Sequence, residues 1–279
     1  MIIGITGGRG MLGSDIKKLA EKEGFSTSIY DLPEFDLTKQ EDIEKMVSEC
    51  DLIVNCAAYT AVDKAEEVPE LAEAVNATAV AKLAESAKLE DKYLLHISTD
   101  FVFGDDSDTP MNEDYPTNPL SVYGATKLHG EELLVNSGCR HAIIRIQWTY
   151  GTNGNHFISK IAELAEKLDQ LTVIDDQIGS PTPTEYVAKA VICFIKNQTE
   201  GLYHFAAEGY ASRYDVAKFI IEELNIKTPI TPCLSSEFKT PAQRPKNSRF
   251  NCSKIDKVLD FKRPDWQSAL KSFLNFSHS

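Results

Sequence analysis

Short apolar runs alternate along this chain with stretches in which hydrophobic residues recur every three or four positions. Ile2 to Ile5, Ser26 to Tyr30, Leu52 to Cys56, Tyr93 to Ser98 and Ala142 to Ile146 read as strands. Between them, Met11 to Glu23, Pro69 to Lys88 and Ser121 to Val135 carry the helical period, and Ser121 is placed to cap the last of these. Strand and helix alternating in this way predict right-handed crossovers and an α/β fold, a Rossmann-type doubly wound parallel sheet covered on both faces. After Gly151 the rhythm loosens, and Pro229, Pro232, Pro241 and Pro245 interrupt regular elements. The expected organisation is a main lobe over residues 1–150, rejoined by roughly 176–210, with a smaller C-terminal lobe from 151–175 and 211–279. Leu171 to Ile174 and Leu202 to Phe205 also read as strands, and either can return to the main sheet.

With 279 residues the chain can bury a substantial core. Its 42% hydrophobic and 25% charged residues are ordinary globular values. A formal charge of −13 disfavours a broad nucleic-acid-binding surface but leaves room for a local basic pocket that holds one diphosphate. Cys50, Cys56, Cys139, Cys193, Cys233 and Cys252 form no close pair of the kind that builds a zinc or redox motif, and read as buried, reduced thiols. No basic stretch followed by a long apolar segment opens the chain, and no later run reaches membrane-spanning length. A cytoplasmic protein without nucleic-acid or membrane partners is expected.

Gly7, Gly10 and Gly13 follow the first predicted strand and open the first helix. In that context glycines let the backbone turn tightly and approach a pyrophosphate, whose charge meets amide groups at the helix N-terminus, beside Met11. Asp31 follows the second strand, eighteen residues beyond Gly13, where an acidic side chain accepts hydrogen bonds from an adenosine ribose and favours NADH. Arg9 points the other way, because a guanidinium can pair with the extra phosphate of NADPH. The cofactor is therefore NADPH or NADH, with Asp36 and Leu37 flanking the adenine.

Thr99 ends the fourth predicted strand, and Tyr123 and Lys127, four residues apart, share one face of a later helix. A Tyr-x-x-x-Lys match is common by chance and recurs at Tyr214 and Lys218. Only Tyr123 lies downstream of a hydroxyl-bearing strand end within the series that begins with the glycine loop, so Tyr214 and Lys218 read as helix-face residues. A phenol that both donates and accepts a proton at neutral pH needs its pKa lowered by roughly three units from ~10, about 4 kcal/mol. The Lys127 ammonium is the expected source, with Thr99 holding the substrate oxygen.

These residues resemble the extended short-chain dehydrogenases, and within them the dTDP-4-dehydrorhamnose reductase family, nearly end to end. The more specific matches are the stretch from Asn55 to Glu66 (NCAAYTAVDKAE), Ser98 to Phe103 (STDFVF) and Asn118 to Gly124 (NPLSVYG). The second half adds Asp176 to Thr182 (DQIGSPT), Gly201 to His204 (GLYH) and Arg244 to Arg249 (RPKNSR). The resemblance implies reduction of the C4 keto group of a dTDP-4-dehydro-6-deoxysugar to give dTDP-L-rhamnose for surface polysaccharides. It implies Thr99, Tyr123 and Lys127 as the catalytic triad, and Ala57, Ala58 and Thr60 on the cofactor side. Thr60, Val62, Asp100 and Trp148 would then sit near the sugar, with Arg244 and Arg249 meeting the diphosphate.

Gln147 stands where such relatives usually carry serine, which bears on the particular deoxysugar. Some relatives use magnesium at a dimer contact. Asp15 and Glu185 offer remnants of such a site without a complete ligand set, so no metal ligands are assigned, and a monomer and a homodimer both remain open. A 4,6-dehydratase is disfavoured because Phe101 occupies the place of its second carboxylate. A nucleotide-sugar 4-epimerase and a non-catalytic NADP-binding subunit of the methionine adenosyltransferase type are the alternatives.

Overall fold

The computed structural model describes residues 1–104 and 107–277. Its first half runs β1 (Ile2–Thr6), α1 (Met11–Lys22), β2 (Ser26–Tyr30), α2 (Gln40–Glu49) and β3 (Leu52–Asn55). Helical segments Pro69–Glu73 and Ala74–Thr78, the latter a π turn, lead into α3 (Ala79–Leu89), then β4 (Tyr93–Thr99), α4 (Val122–Ser137) and β5 (His141–Ile146). The second half holds α5 (Phe157–Lys167), β6 (Leu171–Ile174), α6 (Thr184–Asn197), β7 (Gly201–Phe205), α7 (Arg213–Glu223), β8 (Ile230–Cys233) and α8 (Trp266–Ser277).

Six strands form one sheet in the order β2-β1-β3-β4-β5-β7, every neighbouring pair parallel. Alternation along each strand decides which side chains face which layer. Ile3, Ile5, Leu52, Val54, Leu95, Ala142 and Ile144 pack on one face against α1 and α6. Ile53, Leu94 and Ile143 pack on the other, against Ile43, Met46 and Val47 of α2, Val80 and Leu83 of α3 and Leu134 of α4. Of the two late apolar runs, Leu202 to Phe205 joins the main sheet beside β5, whereas β6 pairs with β8 in a separate ribbon. That ribbon belongs to a third apolar cluster, centred on Tyr150, Ile158, Ile161, Val216, Ile220, Trp266 and Leu270. No helix among the described residues is long and apolar enough to cross a membrane.

The strand order reverses between β1 and β3, and crossovers leave from there to opposite sides. A crevice at the carboxyl ends of the strands is the usual result, and ligands bind there in open α/β sheets.

Candidate active site

A cleft of about 1250 Å³ opens at those carboxyl ends. Gly7, Arg9, Gly10, Met11, Gly13, Asp31, Asp36, Leu37, Ala57, Ala58, Thr60, Val62, Thr99, Asp100, Tyr123, Lys127 and Trp148 all line it. At its near wall the glycine loop lies so close to α1 that a Cβ on Gly13 would stand 2.4 Å from the carbonyl oxygen of Gly7. Gly10, the N-cap of α1, offers no side chain to the first-turn amides, which stay free for an anion. This cradle fits a dinucleotide pyrophosphate.

The far end is organised by charge. The Asp31 carboxylate accepts hydrogen bonds from the backbone N–H groups of Arg9 (2.9 Å) and Leu32 (2.9 Å). The Arg9 guanidinium donates to the Leu32 carbonyl (2.7 Å) and to Glu34 (2.7 Å). Asp36 folds back onto Thr38, whose N–H and hydroxyl hold its carboxyl below the usual range, and Leu37 is buried in the second core cluster.

Thr99 is the last residue of β4, and Tyr123 enters on the first turn of α4, whose N-cap Ser121 accepts a hydrogen bond from the Gly124 N–H. Strand tip and helix start meet in the cleft. Phe101 packs edge-on against the Tyr123 ring with centroids 5.3 Å apart. Burial pushes the Tyr123 phenol up to about 12, against the lowering effect of its hydrogen bond with Thr99, while Asp100 adds to the rise. The expected depression by Lys127 is absent here, for a visible reason. The lysine reaches away, donating to the Ile97 carbonyl (2.7 Å) and lying 3.2 Å from His96 Nε2.

His96 and Lys127 end a buried thread of polar groups that sequence reasoning missed. Asn55 Oδ1 accepts from the Thr6 hydroxyl (2.6 Å) and from the Ala57 N–H (3.2 Å), which fixes the orientation of its amide. Asn55 Nδ2 therefore donates to His96 Nδ1 (3.0 Å). A neutral imidazole whose Nδ1 accepts carries its proton on Nε2. The thread is complete only if Lys127 presents an amine lone pair to that proton. Burial agrees in direction, lowering Lys127 to about 8 against the raising influence of Glu131 and Cys56, and holding His96 well below its usual value.

Beside Thr99, Asp100 is buried and accepts from the hydroxyls of Ser248 (2.5 Å) and Thr99 (3.1 Å); burial raises its carboxyl. Trp148 adopts φ +45°, a left-handed conformation that costs a bulky residue energy and is held by its surroundings. Gln147 is buried, its side-chain oxygen accepting the Ser180 N–H (2.9 Å). The two arginines expected at a diphosphate do not line the cleft. Arg244 is engaged through two nitrogens with the Asp63 carboxylate (2.7 and 3.0 Å), and Arg249 with Asn247 Oδ1 (2.7 Å). Arg213, at the start of α7, lines it instead.

Tyr214 is half-buried against the third cluster and Lys218 is exposed, so this second Tyr-x-x-x-Lys pair stays on a helix face away from the cleft. Glu185 pairs with Lys189 (2.8 Å), and Asp15 accepts from the Thr184 hydroxyl. All six cysteines are free; four are buried, while Cys56 and Cys233 are partly exposed.

A doubly wound sheet with a glycine loop at its switch point and a Thr–Tyr–Lys set across the cleft defines an extended short-chain dehydrogenase. Residues 1–278 match the family described as RmlD substrate binding domain. The dTDP-4-dehydrorhamnose reductase of Escherichia coli K12 is 40% identical over 237 residues, 81% of this chain and 79% of that protein. Among solved structures, a dTDP-4-dehydrorhamnose reductase from Clostridium acetobutylicum superposes with a TM-score of 0.96 at 34% identity, covering 100% of both chains. One from Bacillus anthracis, in complex with NADP, gives 0.94 at 31% identity over 100% of this chain and 99% of that one. The chain belongs to the RmlD family, that of the dTDP-4-dehydrorhamnose reductases.

Proposed function

We propose that this protein reduces the C4 keto group of dTDP-4-dehydrorhamnose to give dTDP-L-rhamnose, using NADPH or NADH. The observation that carries the reading is the convergence of Thr99, Tyr123 and Lys127 with the glycine cradle in one cleft. The residues that would hold the cofactor are Gly7, Arg9, Gly10, Met11 and Gly13 at the pyrophosphate and Asp31, Asp36 and Leu37 at the adenosine. Ala57, Ala58, Thr60, Tyr123 and Lys127 complete the set toward the nicotinamide. Asp31 suits a ribose hydroxyl and Arg9 a ribose phosphate, so both reduced cofactors are expected to serve. When bound, the dihydronicotinamide supplies the hydride.

Tyr123 supplies the proton. A phenol raised to about 12 is fully protonated at neutral pH and still far more acidic than the alcohol formed at C4, so it can protonate the developing alkoxide and is an acid suited to reduction. Thr99 orients the keto oxygen with its hydroxyl, and Lys127, turned toward a bound ribose, restores the phenol's proton after turnover. Thr60, Val62, Asp100 and Trp148 form the sugar pocket. The lobe centred on the third apolar cluster is the substrate lobe. The protein's intact Thr99–Tyr123–Lys127 set favours a catalyst over a non-catalytic binding subunit.

The test supplies dTDP-4-dehydro-6-deoxyglucose with and without a preceding 3,5-epimerase and follows NADPH and NADH consumption. Stoichiometric oxidation that requires the epimerase is expected. In the same assay Tyr123→Phe should keep cofactor affinity and lose at least a hundredfold in turnover; unchanged turnover removes Tyr123 as the acid.

A further inference from the structure

Four residues that line the cleft carry a cationic or imidazole group, and three are engaged within the protein. Arg9 is paired with Glu34, Lys127 bonds the Ile97 carbonyl, and His156 bonds the Gly151 carbonyl and caps α5. The fourth, Arg213, has no hydrogen bond or ion pair from its guanidinium among the described residues.

Its position is nonetheless fixed. The guanidinium carbon lies 3.5 Å over the Trp148 ring and 4.8 Å from the centre of Phe157, both cleft residues, and the Arg213 N–H donates to the Gln177 carbonyl (3.2 Å). Stacking on an aromatic face orients the guanidinium plane while leaving its N–H edges free. Partial burial makes that unpaired charge costly in the ligand-free protein, lowering Arg213 to about 10, with Arg244 adding repulsion and Asp100 offering only a longer-range attraction. A planar, pre-oriented, unsatisfied guanidinium is suited to a bidentate oxyanion. In a chain of net charge −13 it gives an anionic ligand a local place to dock.

We propose that Arg213 is the anchor for the diphosphate of the nucleotide-sugar substrate, the part expected from sequence of Arg244 and Arg249. The inference rests on the reading of the site as a nucleotide-sugar reductase and names a specificity-determining residue within it. Trp148 and Phe157 act as positioning residues for the guanidinium, which accounts for the left-handed backbone at Trp148. The anion belongs to the substrate, since the glycine cradle on α1 already serves the cofactor pyrophosphate.

Titration calorimetry of the wild type and of Arg213→Met with dTDP and with NADP⁺ separates the two phosphate sources. The expected result is at least a thirtyfold loss of dTDP affinity in the variant, with NADP⁺ affinity within twofold of wild type. Kinetically, the sugar nucleotide KM should rise by a similar factor while kcat changes only a few-fold. Arg213→Lys keeps the charge without the planar fork and should recover part of the loss, which also answers a variant that fails to fold. dTDP affinity in Arg213→Met within twofold of wild type, or an equal loss for NADP⁺, overturns the assignment while leaving the reductase reading intact. A wild-type protein that binds no dTDP at all overturns both.

Discussion

Arg213 and Arg244 carry the same side chain at neighbouring places in the fold, and their partners give them different work. Arg244 is satisfied by Asp63 and by the Ala242 carbonyl (2.9 Å), an arrangement that ties the 240s segment to the helical turn Val62–Ala65 that follows β3. Asp63 is partly open to solvent, so screening limits this ion pair to no more than about 1 kcal/mol. Arg244→Gln is expected to lower the unfolding midpoint slightly and to leave the KM for the sugar nucleotide within threefold of wild type. A larger KM change would restore Arg244 to the substrate site. Nothing local in the sequence separates these arginines. What distinguishes Arg213 is an aromatic ring 65 positions earlier in the chain, and that proximity exists only after folding. The meeting of Tyr123, Lys127 and the glycine loop in one cleft was legible because these residues stand at short, fixed spacings beside recognisable elements.

Among the elements, strands and helices with a strong period were legible nearly to their ends: β2 and α4 stand where the pattern placed them. The helix α2 was not individually marked, its polar sequence from Gln40 to Glu49 offering only Ile43, Met46 and Val47 as a buried stripe. The interruption of the long Pro69 to Lys88 helix was not legible either. There the π turn Ala74–Thr78 brings buried Asn76 to the loop after β3, where its Oδ1 accepts the Tyr59 N–H (2.8 Å) and its Nδ2 donates to Thr126 of α4 (3.1 Å). One amide thus ties the loop after β3 to the helix that carries Tyr123. Asn76→Ala leaves the partly buried Tyr59 N–H without its acceptor and should cost about 1–2 kcal/mol. Because it loosens the loop after β3 and α4, which both line the cleft, NADPH affinity should fall at least fivefold, measured by fluorescence titration under conditions where the variant remains folded. Unchanged affinity would confine Asn76 to stability.

For the molecule as a whole, the doubly wound plan followed from the strand and helix rhythm, and the expected return of roughly 176–210 agrees with the pairing of Leu202 to Phe205, although the β pattern of the two late runs left either free to join the sheet. Both candidate runs have β character, and only pairing with β5 distinguished Leu202 to Phe205 from the ribbon strand β6. The finished core encloses two uncharged imidazoles: burial holds His96 well below its usual value and His204 at about 3, the latter also repelled by Arg145. In both, the folded pKa lies below the unfolded value of ~6.5. The unfolded chain therefore takes up protons first, so the stability these groups contribute is complete above pH 6.5 and lost as pH falls below it. Each contributes a slope of up to about 1.4 kcal/mol per pH unit. Asp100, raised by burial, works in the opposite sense at lower pH. Urea midpoints are expected to fall steadily from pH 7 to pH 5, and His204→Phe, which keeps the ring stacked on Phe250 at 4.1 Å, should flatten that fall. An equally steep fall in the variant would assign the acid sensitivity elsewhere.

The thread from Thr6 through Asn55 and His96 to Lys127 has a thermodynamic signature. With Lys127 lowered to about 8, the lysine at that pH is about half amine before the cofactor binds, whereas a docked dinucleotide brings ribose oxygens and phosphate charge that favour ammonium. Cofactor capture should therefore draw up to about half a proton from the medium at pH 8, and the heat released will differ between Tris and phosphate in proportion to their ionisation enthalpies. Identical heats in the two buffers would mean that the lysine is already charged before the cofactor arrives.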